Sequence, residues 1–125
     1  MPRGETLVVS VDSAIENRHF RAAHLAPREI GYRAVAAALS DLAAMAARPL
    51  GVLVALAVPE AWRGELLALG DGIGDAVSSA GTVIRGGNMS ASTELSITTT
   101  VLGAAFCPLT RAGVRAGDLV YVTGA

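Results

Sequence analysis

The sequence predicts an α+β fold in which two helices cover one face of a mixed β-sheet. Segments rich in β-branched residues alternate with segments whose apolar side chains recur at helical spacing, in the order β-α-β-α-β-β with a further strand at the carboxyl end. Of the residues, 52% are hydrophobic but only 4% are aromatic, so the core is expected to consist of small side chains in close contact. The 125 residues suffice for a single domain, residues 1–125, with its own core.

The first strand and the first helix have the clearest patterns. Residues 6–12 are apolar and β-branched and predict a strand, whereas residues 13–27 predict an irregular segment. From about 28 to 47 an apolar stripe recurs every three or four positions and predicts a helix. Pro27 suits the first turn of that helix, and Pro49 is expected to end it. The stripe consists of Tyr32, Val35, Leu39, Leu42 and Ala46.

The middle of the chain predicts a strand, a helix and a short strand. Residues 50–58 form a continuous apolar run between prolines, which favours a buried strand. Residues 60–80 return to helical spacing despite three internal glycines, and Gly81 closes the helix. Residues 82–85 predict a short strand that is broken by Gly86-Gly87-Asn88.

The last part of the chain predicts a sheet face that needs a partner. Residues 94–106 form a Thr- and Val-rich strand in which neither face is strongly polar. A polar turn at 111–118 precedes a last strand in the apolar run 119–125, which is just reaching a glycine turn. An apolar open sheet face usually meets another chain or another domain, so we expect one of the two to cover this face. The chain begins almost at its first predicted strand and stops at its last one, so we expect it to be a piece of a longer protein.

Composition excludes several classes of function. The net charge is −1 and the ten basic residues form no run, which argues against nucleic-acid binding and against a polybasic membrane patch. The longest uncharged stretch, 49–59, is too short to span a bilayer, and no secretory pattern opens the chain. The single cysteine, Cys107, rules out a disulfide framework. We therefore expect a cytoplasmic protein.

Oxygen-bearing side chains stand at the predicted ends of elements. Asp12 ends the first strand, with Ser10 on the same strand face, and Asp41 and Asn88 follow later in the chain. Oxygen ligands without thiolates or paired histidines suit Mg²⁺ rather than Zn²⁺, and such a site leaves room for substrate phosphates. The alternative is structural, because Asp is also an ordinary residue at which to end a strand.

The other candidate site residues also have a structural explanation beside the functional one. Backbone amides of Gly86-Gly87 can approach a phosphate, but a Gly-Gly pair also makes a tight turn. His19, beside Phe20, can anchor a planar ligand or simply form hydrogen bonds in a loop. Cys107 has no evident partner histidine and no Ser-His-Asp arrangement is present, so we assign no catalytic nucleophile.

Five motifs in order resemble the thiamine-monophosphate kinase family, within the superfamily of aminoimidazole ribonucleotide synthetase. Residues 12–20 resemble its D-x-x-V-E-G-V-H-F segment, and Gly86-Gly87-Asn88 stands where it has G-G-D. Residues 30–34 match I-G-x-K-A, and residues 39–49 match the S-D-[LI]-A-A-M-G-A-x-P segment. Residues 111–118 match R-S-G-A-x-P-G-D, and residues 122–124 match the V-T-G that follows it. The motifs span nearly the whole chain.

The resemblance implies the amino-terminal, ATP- and Mg²⁺-binding half of a two-domain kinase whose carboxy-terminal domain is absent here. The implied reaction is transfer of the ATP γ-phosphoryl group to thiamine monophosphate, in a homodimer whose amino-terminal domains pair sheet to sheet. By position in the motifs, the implied metal ligands are Asp12, Asp41, Ser10 and Asn88; the implied nucleotide contacts are Gly87, Asn88 and Arg111; and the implied acceptor contact is His19.

Departures from the family pattern leave two alternatives open. Asn88 replaces an aspartate ligand, Asn17 and Arg18 replace Gly-Val, and Ala46 replaces a glycine. A G-D-D-A segment with a further metal ligand is expected before residue 1, so this chain alone is expected to be inactive. The alternatives are another kinase or ligase of the superfamily, resembling aminoimidazole ribonucleotide synthetase, selenophosphate synthetase or the hydrogenase maturation protein, and a non-catalytic dimerisation or nucleotide-binding module.

Overall fold

A computed structural model describes residues 3–121 and confirms the predicted α+β class. Its elements are β1 (Thr6–Ile15), α1 (Pro27–Ala44), β2 (Arg48–Val58), a 3₁₀ helix (Glu60–Glu65), α2 (Leu66–Ser79), β3 (Ile84–Ala91) and β4 (Ser96–Ala105). The Val122-Thr123-Gly124 motif and the end of the predicted last strand lie outside the described residues.

The four strands form one mixed sheet in the order β1-β4-β2-β3. The central strand β4 is antiparallel to β1 and to β2, whereas the edge strand β3 is parallel to β2. α1 packs on the sheet and α2 packs along α1. The order β-α-β-α-β-β is therefore confirmed, with the 3₁₀ helix inserted before α2.

The two faces of the sheet differ in exposure. The helix-covered face holds fully buried Val52, Ile97 and Val101, together with Thr99, whose hydroxyl finds no hydrogen-bond partner among the described residues. Apolar side chains of β1 lie uncovered on the other face: Leu7 is 51% exposed, Val9 54% and Val11 62%. The sequence-based expectation of an apolar open face is confirmed; its pairing with a second copy stays a prediction.

β1 is longer than predicted and contains Asp12 in its interior. Its pairing with β4 continues through Asp12↔Thr99 to Ile15↔Ser96. The interpretation of Asp12 as a strand end is therefore wrong. A long partner strand supplies backbone hydrogen bonds that outweigh the weak preference of Asp against sheets.

α1 ends at Ala44, three residues before the predicted end at 47. Ala46 has a φ of 53°, in the left-handed region. The Ala47 N–H donates to the Leu42 carbonyl at 2.8 Å and the Ala46 N–H to the Ala43 carbonyl at 3.0 Å. This is the Schellman arrangement, so a local cap rather than Pro49 ends the helix, and Pro49 lies within β2.

β3 runs through Gly86-Gly87-Asn88, so the predicted break at these glycines is wrong. Gly87 pairs with Val54 of β2, and an added Cβ at Gly87 would collide with the Val54 carbonyl oxygen. Glycine is needed there because the two backbones approach closely. The register shifts just before, where the Arg85 guanidinium donates to the Leu50 carbonyl at 3.2 Å.

The two helices meet through glycines, one of which the sequence pattern marked only as a weak point of α2. An added Cβ at Gly31 of α1 would collide with the Leu69 carbonyl oxygen, and one at Gly72 of α2 with the Arg28 carbonyl oxygen. The Arg28 guanidinium also donates to Asp75 at 2.7 Å. This hydrogen bond and then the charge of Asp75 raise the pKa of Arg28.

The segment after β4 has no regular secondary structure. Residues 111–118 form turns, as predicted, but residues 119–121 are not in a strand, so that part of the predicted last strand is wrong. Leu119, Val120 and Tyr121 are largely exposed and pair with no strand of the sheet. Within residues 3–121, no helix has the length and apolar character needed to cross a membrane.

Candidate functional site

Two of the predicted metal ligands meet where β1 passes the last turns of α1. The Ser10 hydroxyl donates to Asp41 Oδ2 at 2.5 Å. Alternation along β1 places Ser10 on the face of buried Val8, under α1, and Asp41 precedes buried Leu42 on the helix. A strand and a helix that share one core therefore hold the hydroxyl and the carboxylate together.

Asp12 extends this polar site along β1. It lies on the same strand face as Ser10, two residues further on, with an exposed side chain whose Oδ1 accepts the Ser13 N–H at 2.8 Å. The donors are all oxygens, which fits Mg²⁺ in charge and hardness. Within residues 3–121, no cluster of three or more His, Cys, Asp or Glu could hold a metal ion. Two carboxylates and a hydroxyl leave most Mg²⁺ positions to phosphates and water.

A cleft of about 1180 Å³ opens beside Ser10 and Asp41. One wall is the segment after β4, which contributes Arg111 and is tied to α1 by the Leu109 N–H donating to the Met45 carbonyl at 3.1 Å. Three residues that the sequence singled out, Ser10, Asp41 and Arg111, thus line one cleft. The Arg111 guanidinium can bind an anionic ligand, and the Asp41 carboxylate can bind a cation that this ligand carries.

The structure does not bring Gly87 and Asn88 to this cleft within one chain. β3 and β1 are opposite edges of the sheet, three strand spacings or about 14 Å apart. Asn88 pairs with Ala55, which lies on the open face beside Leu53, whereas Ser10 lies on the helix face. Asn88 is therefore at the other edge and on the other face.

His19 lies in a tight turn at the end of β1, away from the Ser10–Asp41 pair. Its Nδ1 accepts the Ile15 N–H at 3.1 Å, and the Asn17 N–H donates to the Phe20 carbonyl at 2.8 Å. A second cavity, of about 390 Å³, is lined by the segment between β1 and α1, which includes this turn, and by one residue of α1.

One residue that anchors this turn was missed by sequence reasoning. The Trp62 Nε1–H donates to Glu16 Oε2 at 3.0 Å, from a side chain that is buried in the 3₁₀ helix. The two residues are 46 positions apart, and the helical spacing of Trp62 predicted only a core position. No local pattern could have joined them.

Residues 1–105 match the family model described as AIR synthase related protein, N-terminal domain. Curated relatives named thiamine-monophosphate kinase align over nearly the whole chain. Identity is 37% over 126 residues with that of Synechococcus elongatus, 35% over 123 residues with that of Bacillus subtilis, and 34% over 128 residues with that of Escherichia coli K12. These alignments cover 98%, 94% and 99% of this chain but only 38%, 37% and 38% of the relatives.

Solved structures give the same picture. Thiamine monophosphate kinase from Aquifex aeolicus has a TM-score of 0.85 and 26% identity, over 93% of this chain and 40% of that one. A structure described as AaThiL complexed with AMPPCP and TMP has a TM-score of 0.87 and 26% identity, over 93% and 38%. A hydrogenase maturation protein HypE in complex with ATP has a TM-score of 0.65 at 24% identity, over 78% and 30%, and shares the fold. The sequence-based resemblance is therefore confirmed.

Proposed function

The chain belongs to the AIR synthase related protein family as an N-terminal domain, and from that membership we propose that it is the ATP- and Mg²⁺-binding domain of a thiamine-monophosphate kinase. The observation that carries the proposal is the Ser10–Asp41 hydrogen bond at the cleft that Arg111 also lines. The names of the similar kinases support thiamine monophosphate as the phosphate acceptor. The complex of AaThiL with AMPPCP and TMP supports a nucleotide and a phosphate acceptor as the two ligands.

The residues of the cleft fit phosphoryl transfer. Such transfer depends mainly on positioning and on neutralising the charge of the phosphates. Asp12, Asp41 and the Ser10 hydroxyl would hold Mg²⁺, which supplies positive charge to the phosphate oxygens when bound. The Ser10 hydroxyl fixes the orientation of the Asp41 carboxylate, and Arg111 would contact the nucleotide. His19 would contact the acceptor.

A homodimer would cover the sheet face on which Asn88 lies. Asn88 lies on the open sheet face, the face whose apolar side chains need cover. If two copies pair through this face, Asn88 comes to the interface, whereas Ser10 and Asp41 stay under α1 on the other face of the sheet. The proposal therefore includes a dimer, and a carboxy-terminal domain beyond this chain.

Calorimetry of the 125-residue chain with Mg-ATP tests the nucleotide site. We expect saturable, magnesium-dependent binding that weakens on the order of tenfold or more in Asp41→Asn, because one negative charge is removed from the metal site. Asp71→Asn is the matched control, since this exposed acid lies on α2, outside the cleft. Equal affinity in the wild type and Asp41→Asn would contradict the assignment.

One observation favours a second candidate, a nucleotide-binding module without catalysis. Asn88 stands where the family pattern has an aspartate metal ligand, so this position carries no negative charge. A panel of phosphate acceptors, assayed with the longer protein and with ADP release as the readout, separates the two. ATP-dependent formation of thiamine diphosphate supports the kinase; release with another acceptor supports a different enzyme of the superfamily; Mg-ATP binding without release supports the module.

A further inference from the structure

The second cavity, of about 390 Å³, has a strongly basic lining. Its walls are the segment between β1 and α1 and a single residue of α1, Arg33. They contribute Arg18, Arg21 and Arg33 together with His19 and His24. Among the residues that the structure describes, no Asp or Glu lines this cavity. The cavity therefore concentrates three permanent positive charges in a chain whose net charge is −1.

The carboxylates nearest in sequence are engaged elsewhere. Glu16 accepts the Trp62 indole N–H at 3.0 Å, and Glu29 accepts the Ala26 N–H at 2.7 Å at the start of α1. Other arginines of the described chain do form ion pairs, namely Arg28 with Asp75, Arg48 with Glu5, and Arg63 with Glu60. Within residues 3–121, none of the three cavity arginines has such a partner.

Hydrogen bonding gives the cavity the same preference. Guanidinium groups only donate. His19 uses Nδ1 to accept the Ile15 N–H, so its remaining nitrogen, Nε2, carries a proton in the neutral ring and also donates. These donors favour a ligand that is rich in acceptors. Asn17, which also lines the cavity, can donate or accept, and the half-buried Phe20 adds an apolar wall.

We propose that this cavity binds a small phosphate-class anion at a site separate from the Ser10–Asp41 cleft. Guanidinium groups pair with phosphate oxygens through two parallel hydrogen bonds. Arg33 and Asp41 are eight residues apart on α1, or about 12 Å along the helix axis, so one phosphate group cannot reach both. Arg18 stands where the family pattern has valine, which makes the third positive charge a property of this chain.

Binding at this site needs neither nucleotide nor magnesium, so it can be tested separately from the nucleotide site; only its effect on the acceptor rests on the proposed function. His19 is shared with the acceptor contact proposed above. An anion in the cavity would therefore exclude an acceptor from that side chain.

Titration calorimetry of the 125-residue chain with inorganic pyrophosphate, in metal-free buffer, tests the proposal. We expect saturable binding that weakens at least tenfold when Arg18, Arg21 and Arg33 are all changed to Gln, and that also weakens with added salt. Arg63→Gln is the control, since Arg63 is an exposed arginine away from the cavity. Circular dichroism checks that the triple variant, whose changed side chains are all exposed, keeps its fold.

Three outcomes would overturn the site: no saturable heat, equal affinity in the triple variant, or binding that requires Mg²⁺ and disappears in Asp41→Ala. Parallel titrations with inorganic phosphate and phenyl phosphate distinguish the source of the anion. Tighter binding of phenyl phosphate assigns an organic phosphate ester that uses the Phe20 wall, and equal binding assigns a free inorganic anion.

Discussion

Ala46 occupies the left-handed position of the Schellman cap at the end of α1, with a φ of 53°. A side chain there costs about 1 kcal/mol, because Cβ crowds the following carbonyl in this conformation. The family pattern has glycine at this position. The departure is visible in the sequence, yet Ala46 was counted within the helical stripe, since an apolar residue at the right spacing does not reveal a cap.

Ala46→Gly is expected to raise the free energy of unfolding by up to about 1 kcal/mol, because glycine adopts the left-handed conformation without strain. Urea denaturation measures the change. Ala37→Gly, at an exposed site inside α1, is the matched control and should lower stability by a similar amount through loss of helix propensity. Loss of stability in both variants would mean that Ala46 is not strained.

The Ser10–Asp41 pair shows what residue patterns can predict about a site. Alternation in β1 put Ser10 and Asp12 on one strand face, and the motifs singled out Ser10 and Asp41. Their direct hydrogen bond joins residues 31 apart and depends on how α1 lies across β1. The position of Asp12 inside a strand could not be predicted either, because the length of β4 determines it.

At the scale of elements, the contact between α1 and α2 depends on Gly31 and Gly72. Each faces a backbone carbonyl of the other helix with no space for a methyl group. At Gly70 and Gly74, by contrast, an added Cβ would meet no other part of residues 3–121 within 4 Å, apart from the neighbouring backbone of α2 itself. In the sequence the glycines of α2 all looked like weaknesses, because helical spacing does not show which of them faces another backbone.

Gly72→Ala is expected to lower the free energy of unfolding by roughly 1–3 kcal/mol, because the helices must move apart to admit the methyl group. Gly31→Ala should act in the same way. Gly70→Ala and Gly74→Ala should instead raise stability by up to about 1 kcal/mol through helix propensity alone. Thermal denaturation of the four variants measures this, and a common direction of change in all four would refute the close contact.

β3 is the element where sequence reasoning failed, and the reason is tertiary. Gly86-Gly87-Asn88 has poor strand propensity in isolation, which predicted a break. β2 imposes the strand by parallel pairing, and Gly87 is tolerated because it lets the two backbones approach. Pairing with β2, rather than local propensity, therefore determines the extended conformation of residues 86–88.

At the scale of the whole molecule, the uncovered sheet face is the most consequential feature. The apolar character of both faces of β4 predicted it from sequence, and the exposure of Leu7, Val9 and Val11 confirms it. The irregular segment after β4 also exposes apolar side chains, including Leu119 and Val120. The predicted last strand is wrong at residues 119–121, because no described strand of the sheet pairs with these residues.

Val9→Lys combined with Val11→Lys is expected to convert the proposed dimer to a monomer, because each lysine would place a charge in an apolar interface. Sedimentation velocity of the 125-residue chain measures the change in mass. Leu67→Lys, at an exposed apolar position on α2, is the control and should leave the mass unchanged. A wild-type chain that is monomeric at micromolar concentration would refute pairing through this face.

The position of β4 between β1 and β2 has a consequence during synthesis. β1 pairs with β4 alone, and about 80 residues of chain separate the two strands. At a translation rate of ~5–20 residues per second, β1 waits on the order of 4–16 s on the ribosome before its partner is made. Throughout that time Leu7, Val9 and Val11 lie on an unpaired segment of nascent chain, which makes β1 a suitable target for a holding chaperone.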